Sequence, residues 1–230
     1  KAIEKKQVDW LIVDHYGIDI KWEKKVRKYV KNILIIDDLA NRKHDCDLLL
    51  DQNLIANYKK RYNHLLPSRS SILLGPKYSL LQNIYKNLHF KAKPRSGFPK
   101  KILIYFGGTN QTHLIDATLS ALSSLDIDYL KINVVINFNR ENNQIINKFK
   151  NKFENIKFYN ERKSLAPLIL KADLAIGACG TTTWERCCLG LPSLVITISK
   201  NQIPPEYQDV PICFGILKFG ATDFSQNLRF

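Results

Sequence analysis

The sequence predicts an α/β fold built of two Rossmann-like domains, and three observations carry that expectation. Short apolar runs without polar alternation recur along the chain, as parallel strands covered on both faces require. Helix-length amphipathic stretches separate these runs, so strand and helix take turns. The length of 230 residues exceeds the size at which most single domains cluster, about 100–150 residues.

Strand candidates lie at 10–13, 33–36, 48–50, 72–74, 102–106, 132–136, 156–158, 174–176 and 193–196. Helix candidates lie between them at 21–30, 114–122, 142–151, 164–171 and 182–189. The stretch 90–101, FKAKPRSGFPKK, interrupts the series: Pro94, Gly97 and Pro99 sit among basic residues with no apolar period, the composition of a linker. The expected division is therefore 1–92 for an N-terminal Rossmann-like domain, 93–100 for a linker and 101–230 for a second such domain. The first of these is short for a doubly wound fold and is expected to be incomplete.

Composition narrows the function. Hydrophobic residues at 45% and charged residues at 24% give the balance of a folded globular chain. No apolar run reaches the roughly 18 residues a membrane helix needs and no signal-like segment opens the chain, so the expectation is a cytoplasmic protein without a membrane partner. Cys46, Cys179, Cys187, Cys188 and Cys213 form no CxxC pair, which argues against a disulfide framework or a zinc site. No metal and no cofactor are expected. The formal net charge of +14 raises polyanions as partners, but the lysines are spread among asparagines instead of forming one block. Diffuse solubilising charge, with no nucleic-acid partner, is the reading adopted. The absence of methionine and the opening Lys1-Ala2-Ile3 suggest a segment of a longer protein, fused to or associated with further domains.

Two turns carry the chemistry of the second half. ILIYFGGTNQ brings Gly107, Gly108 and Thr109 straight off a strand. ADLAIGACGTTTWERCCLGLP places Gly180, Thr181, Thr182 and Thr183 between a strand and a helix, with Glu185 in the first helical turn. Small residues let a backbone approach a ligand, and unpaired N–H groups at the helix start suit phosphate. Neither turn is GxGxxG or a Walker sequence, so either alone reads more readily as an ordinary structural turn than as a phosphate site. Both must lie at the carboxyl ends of strands, where ligands of open α/β sheets collect. Glu185 reads as a first-turn helix acid or as a carboxylate accepting ribose hydroxyls, and spacing alone favours the former. In the first half, LIVDHYGID ends a strand in Asp14-His15-Tyr16-Gly17, while Asp37-Asp38 and Asp51-Gln52-Asn53 follow other strands. Such acids can hold a metal or do acid–base work, although after a strand they more often cap turns.

Taken together, VDHYGID, IDDLANRKHDCDLLLDQN, LLGPKYSLL, FGGTN, ADLAIGACGTTTWERCCLGLPSLVI and KNQ occur in an order and spacing that resembles the UDP-2,4-diacetamido-2,4,6-trideoxy-β-L-altropyranose hydrolases of pseudaminic acid biosynthesis. The resemblance runs from about Val8 to Gln202. It implies a two-domain glycosyltransferase-B fold with UDP on the C-terminal domain and the sugar in the cleft. It also implies metal-independent hydrolysis in which water displaces UDP at the anomeric carbon, serving surface polysaccharide and flagellin glycosylation. Carried over by position, the nucleotide loop falls on Gly180, Thr181, Thr182 and Thr183, and the ribose-binding acid on Glu185. Gly107, Gly108 and Thr109 would face the phosphates, and Leu165 would offer backbone to the uracil. Tyr16 and Asn201 match positions lining the sugar pocket, with His15 and Gln202 beside them; Tyr16, His15 and Asn201 are the catalytic candidates and Gln202 a substrate-binding one. A strand and Gly-rich loop bearing the water-activating histidine would precede Lys1, and no motif gives that role to His15, His44, His64, His89 or His113. Cys179 stands where the family commonly has glycine, and 203–224 lacks the plain helix the resemblance leads one to expect. Two other functions compete with hydrolysis: glycosyl transfer from a UDP-sugar, and a non-catalytic nucleotide-sugar or polyanion-binding module.

Overall fold

The computed structural model describes residues 8–54, 58–107, 111–125 and 127–196, together with the backbone of 214–217. The chain forms two compact units, the first running to Leu80 and the second starting at Leu81.

In the first unit, β1 (Val8–Asp14), β2 (Val30–Ile36), β3 (Leu48–Asp51) and β4 (Ser71–Leu74) form a parallel sheet in that order. The crossover from β1 to β2 is α1 (Ile20–Val26), started by Asp19, whose carboxylate accepts from the backbone N–H groups of Lys21 and Trp22. The helix expected over 21–30 stops at Val26, and Arg27–Tyr29 is a 3-10 turn that delivers Val30 into β2. Arg27 explains the early stop: its guanidinium is drawn to the Asp45 and Asp47 carboxylates and the Asp45 carbonyl. Val13, Ile33, Ile35, Leu49 and Tyr62 fill the core. Beside that core, buried Glu23 takes His44 Nδ1 at 2.6 Å on one oxygen and the Asp45 N–H at 2.6 Å on the other. A buried carboxylate is tolerated there because both its oxygens are engaged.

The second unit opens with α2 (Asn83–His89). Its sheet comprises β5 (Lys101–Tyr105), β6 (Lys131–Val135), β7 (Ile156–Tyr159), β8 (Leu174–Ala178), β9 (Ser193–Ile196) and β10 (Phe214–Leu217), in the order β10-β9-β8-β5-β6-β7. All pairs are parallel except β10 with β9. The crossovers contain α3 (Thr112–Leu122), α4 (Arg140–Lys150), α5 (Ala166–Lys171) and α6 (Thr182–Cys188). Order reverses between β8 and β5, so the carboxyl ends of these two central strands mark a topological switch point. The core of Ile104, Phe106, Leu119, Ile132, Val134 and Phe149 lies beneath them.

Every strand candidate coincides with a strand, whereas α2 and β10 were not foreseen. Residues 81–92 were expected in the N-terminal domain, yet α2 belongs to the second unit. Gln82 donates to the Lys163 carbonyl at 2.9 Å, and His89 Nδ1 donates to the Cys188 carbonyl at 2.6 Å. Nor is the following Pro/Gly-rich stretch free. Arg95 donates to the carbonyls of Ala172, Ile169, Leu170 and Leu189, where α5 and α6 end. Linker composition here is a segment held down by one guanidinium.

Candidate functional site

The register Tyr105↔Gly177 sets the ends of β5 and β8 side by side. The chain therefore leaves the sheet at neighbouring points, through Phe106-Gly107 on one strand and Cys179-Gly180-Thr181 on the other. Gly107 has φ +103° and is exposed, a conformation that L side chains rarely adopt. Gly108 and Thr109 lie outside the described residues, as do Asn201 and Gln202.

The second turn is tightly built. Thr183 N–H donates to the Gly180 carbonyl at 2.8 Å and Trp184 N–H to the Thr181 carbonyl at 3.0 Å, closing the start of α6. The backbone N–H groups of Gly180, Thr181 and Thr182 have no protein partner among the described residues. Thr181 is exposed and Thr182 half-buried, whereas the Thr183 side chain turns inward.

What Thr183 meets there is Arg186. This guanidinium is buried, donating from Nη2 to the Ala178 carbonyl at 2.8 Å and to Thr183 Oγ1 at 3.0 Å, while Nε has no partner among the described residues. It forms no ion pair among the described residues, and burial lowers its affinity for the proton. A buried cation outside any ion pair is costly unless something offsets it. Here it lies behind a turn whose Gly180, Thr181 and Thr182 N–H groups have no protein partner among the described residues. The adjacent strand makes room: a Cβ on Gly177 would stand 2.1 Å from the Tyr105 carbonyl oxygen and 2.8 Å from Arg186 Nη1.

Leu165, the residue before α5, lines one small pocket with Tyr105, Thr182 and Arg186. Glu185 is half-buried on the same first turn of α6. Burial pushes its carboxyl above the usual range, and the Tyr85 hydroxyl and the Arg186 charge partly offset that push. The structure thus gathers Gly107, Leu165, Gly180, Thr181, Thr182, Thr183 and Glu185 around one sheet edge within the second unit. Sequence reasoning assigned no role to Arg186 or Tyr85. For Arg186 the available signal was its position three residues after Thr183, on the inward face of a short helix.

His15 and Tyr16 sit just past β1 in the first unit, both exposed. His15 Nδ1 accepts from the Gly17 N–H at 2.9 Å, and Tyr16 donates to Asp38 Oδ2 at 3.3 Å. Burial and then the neighbouring Asp38 carboxylate raise the Tyr16 phenol above its ordinary value. The paired acids prove to be caps and ion-pair partners. Asp37 accepts from the Ala40 N–H at 2.9 Å and pairs with Arg42 at 2.8 Å. Asp51 accepts from the Asn53 N–H at 2.9 Å and pairs with Arg61. Between them the buried Tyr62 hydroxyl donates to the Asp37 carbonyl at 2.9 Å and touches both carboxylates. Among the described residues no group of three His, Cys, Asp or Glu could hold a metal ion, and no helix is long and apolar enough to cross a membrane. Burial raises the thiols of Cys46 and Cys188 to about 11 and that of Cys187 to about 12, which makes them packing residues and not nucleophiles.

Comparison with known proteins bears on this geometry. Residues 102–203 match the Glycosyltransferase family 28 C-terminal domain. The chain is 27% identical over 217 residues to "Uncharacterized protein MJ1062" of Methanocaldococcus jannaschii, covering 91% of this chain and 44% of that protein. It is 27% identical over 202 residues to the UDP-2,4-diacetamido-2,4,6-trideoxy-beta-L-altropyranose hydrolase of Campylobacter jejuni, covering 87% of this chain and 70% of that one. Among solved structures, the pneumococcal O-GlcNAc transferase GtfA in complex with UDP and GlcNAc superposes with a TM-score of 0.51 at 13% identity, covering 98% of this chain and 49% of that chain. The chain thus spans less than half the length of the archaeal relative and of this structural neighbour.

Proposed function

We propose, for a chain whose α/β fold is of the glycosyltransferase-B type, that it processes a UDP-sugar, binding the nucleotide on its second unit and releasing UDP by hydrolysis at the anomeric carbon. The observation that carries this reading is the pair of adjacent turns at the carboxyl ends of β5 and β8, backed by the buried Arg186. The N–H groups of Gly180, Thr181 and Thr182 would donate to the diphosphate oxygens, and Gly107 lets the neighbouring turn approach them. Glu185 would take the ribose hydroxyls and the Leu165 segment the uracil.

In the reaction, the oxygen of water bonds to the anomeric carbon as the carbon–oxygen bond to the diphosphate breaks. Negative charge grows on the departing UDP. Fixed N–H dipoles and the Arg186 charge stabilise it more in the transition state than in the ground state, which is the form of electrostatic help that accelerates a reaction. His15, Tyr16, Asn201 and Gln202 are proposed to handle the sugar and water, with Gly108 and Thr109 on the phosphate side. A 2,4-diacetamido-2,4,6-trideoxyhexose is the proposed sugar, following the Campylobacter relative, and pseudaminic acid synthesis in the cytoplasm the proposed setting.

Glycosyl transfer is the second reading, favoured by the family 28 domain match. Both are tested on the protein expressed from its complete reading frame, supplied with UDP-2,4-diacetamido-2,4,6-trideoxy-altropyranose, with and without alcohol acceptors. Release of UDP with free sugar in the NMR spectrum is expected. A glycoside formed in preference to free sugar would move the assignment to transfer, and an intact substrate would sink both.

A further inference from the structure

In the first unit the register Asp14↔Ile36 sets the carboxyl ends of β1 and β2 side by side, so the turn 15–19 leaves the sheet next to Asp37-Asp38. One side chain reaches both turns. Arg42 ion-pairs from Nη1 with Asp37 Oδ1 at 2.8 Å, while its Nε donates to the Ile18 carbonyl at 2.8 Å and its Nη2 to the His15 carbonyl at 3.3 Å. The guanidinium thus holds the two residues that flank Tyr16-Gly17.

The anchor is itself fixed. Asp37 is buried, and its second oxygen accepts from the Ala40 N–H at 2.9 Å and the Tyr62 hydroxyl at 3.1 Å. Arg61 donates to the Asp38 carbonyl at 2.8 Å. The backbone beyond Arg42 is tied as well: the Lys43 carbonyl accepts from the Ile20 N–H at 3.1 Å, and the His44 N–H donates to the Leu65 carbonyl at 3.0 Å. By contrast, His15 and Tyr16 are exposed, and the other bonds that brace their turn include two long ones, Ile18 N–H to the His15 carbonyl at 3.4 Å and Tyr16 to Asp38 at 3.3 Å. An exposed turn with long hydrogen bonds opens readily unless a rigid neighbour ties it.

We infer that Arg42 is a positioning residue: its guanidinium, seated on the buried Asp37 carboxylate, holds the β1 turn so that His15 and Tyr16 are presented in one conformation. The inference rests on the sugar and water roles proposed for those two residues. Arginine is needed for its shape as well as its charge. A lysine ammonium can still pair with Asp37, but it is a point charge on a flexible stem and does not reproduce the planar fork that meets three acceptors at once. Arg42→Lys therefore separates the two contributions, keeping the buried carboxylate paired while releasing the turn.

The test compares Arg42→Lys, Tyr16→Phe, His15→Gln and the Arg42→Lys/Tyr16→Phe double variant with the parent, each expressed from the complete reading frame. Turnover of UDP-2,4-diacetamido-2,4,6-trideoxy-altropyranose, UDP affinity by calorimetry, and hydrogen exchange of the peptide 14–19 are measured, with circular dichroism melts as the control for folding. Arg42→Lys should lower kcat about tenfold, as loosened positioning of reacting groups does, with UDP affinity unchanged and exchange in 14–19 faster than in the parent. In the Tyr16→Phe background the same substitution should lower kcat less than it does in the parent. An unchanged kcat in Arg42→Lys while Tyr16→Phe lowers it, an equal fall in both backgrounds, a loss of UDP affinity in step with kcat, or unchanged exchange in 14–19 overturns the positioning role. Unaltered kcat in both Tyr16→Phe and His15→Gln instead overturns the roles on which the inference rests.

Discussion

At the scale of single residues, the chain places charge where burial makes it costly and then uses it. Arg186 ties the end of β8 to the start of α6 through Ala178 and Thr183. Arg186→Met keeps the volume and removes both bonds and the charge; the expected outcome is a fall in UDP affinity of at least about tenfold, measured by calorimetry. Tyr62 presents the contrasting case, a buried phenol serving two carboxylates at 3.1 and 3.2 Å. Tyr62→Phe should cost about 1–3 kcal/mol in urea unfolding without touching nucleotide binding, because its network lies in the first unit. These roles were only partly legible. Glu185 stood out in WER because an acid early in a helix has a short list of uses. Arg186 acts through burial against the end of β8, which a linear pattern does not encode.

At the scale of elements, periodicity served strands better than boundaries. Continuous apolar runs located all of β1 to β9: β5 and β8 are covered on both faces, while β1 and β4 keep apolar runs although much of their length is exposed. Helix α2 escaped because NIYKNLH buries only Tyr85 and His89, too few positions to show a period. The stretch after it was read as a linker from proline and glycine, which record local backbone preference and say nothing of Arg95. That arginine caps two helix ends at once. Arg95→Ala should therefore leave several carbonyls unpaired and lower the urea midpoint by the equivalent of about 1–3 kcal/mol, with far-UV circular dichroism showing the loss first as fraying of helix.

At the scale of the whole molecule, the two units draw on different chemistry. The second is held by an apolar core under a mostly parallel sheet. The first adds ion pairs around Asp45 and Asp47, whose carboxyls, despite the upward push of burial, are held below the ordinary value by Arg69 and Arg27, and by Arg27 and the Ile33 N–H, respectively. A carboxyl more acidic in the folded state contributes stability that is present above its unfolded value, near ~3.9, and is lost as pH falls through the lower folded value. Acid titration followed by tryptophan fluorescence should report it, since Trp10 and Trp22 lie in the first unit and Trp184 in the second. Trp10→Phe/Trp22→Phe and Trp184→Phe variants isolate each signal, and the first-unit signal is expected to change at the higher pH.

Gly177 carries a consequence for how sequences of this kind diverge. Its missing side chain is the space that admits the Arg186 guanidinium against β8. The dependence runs one way: a larger residue at 177 evicts the arginine, whereas with a smaller residue at 186 the glycine is still required by the Tyr105 carbonyl beside it. A relative that has lost Gly177 is therefore expected to have lost Arg186 as well, and with it the diphosphate-binding character of the turn between them, while one that has lost Arg186 alone is expected to keep the glycine.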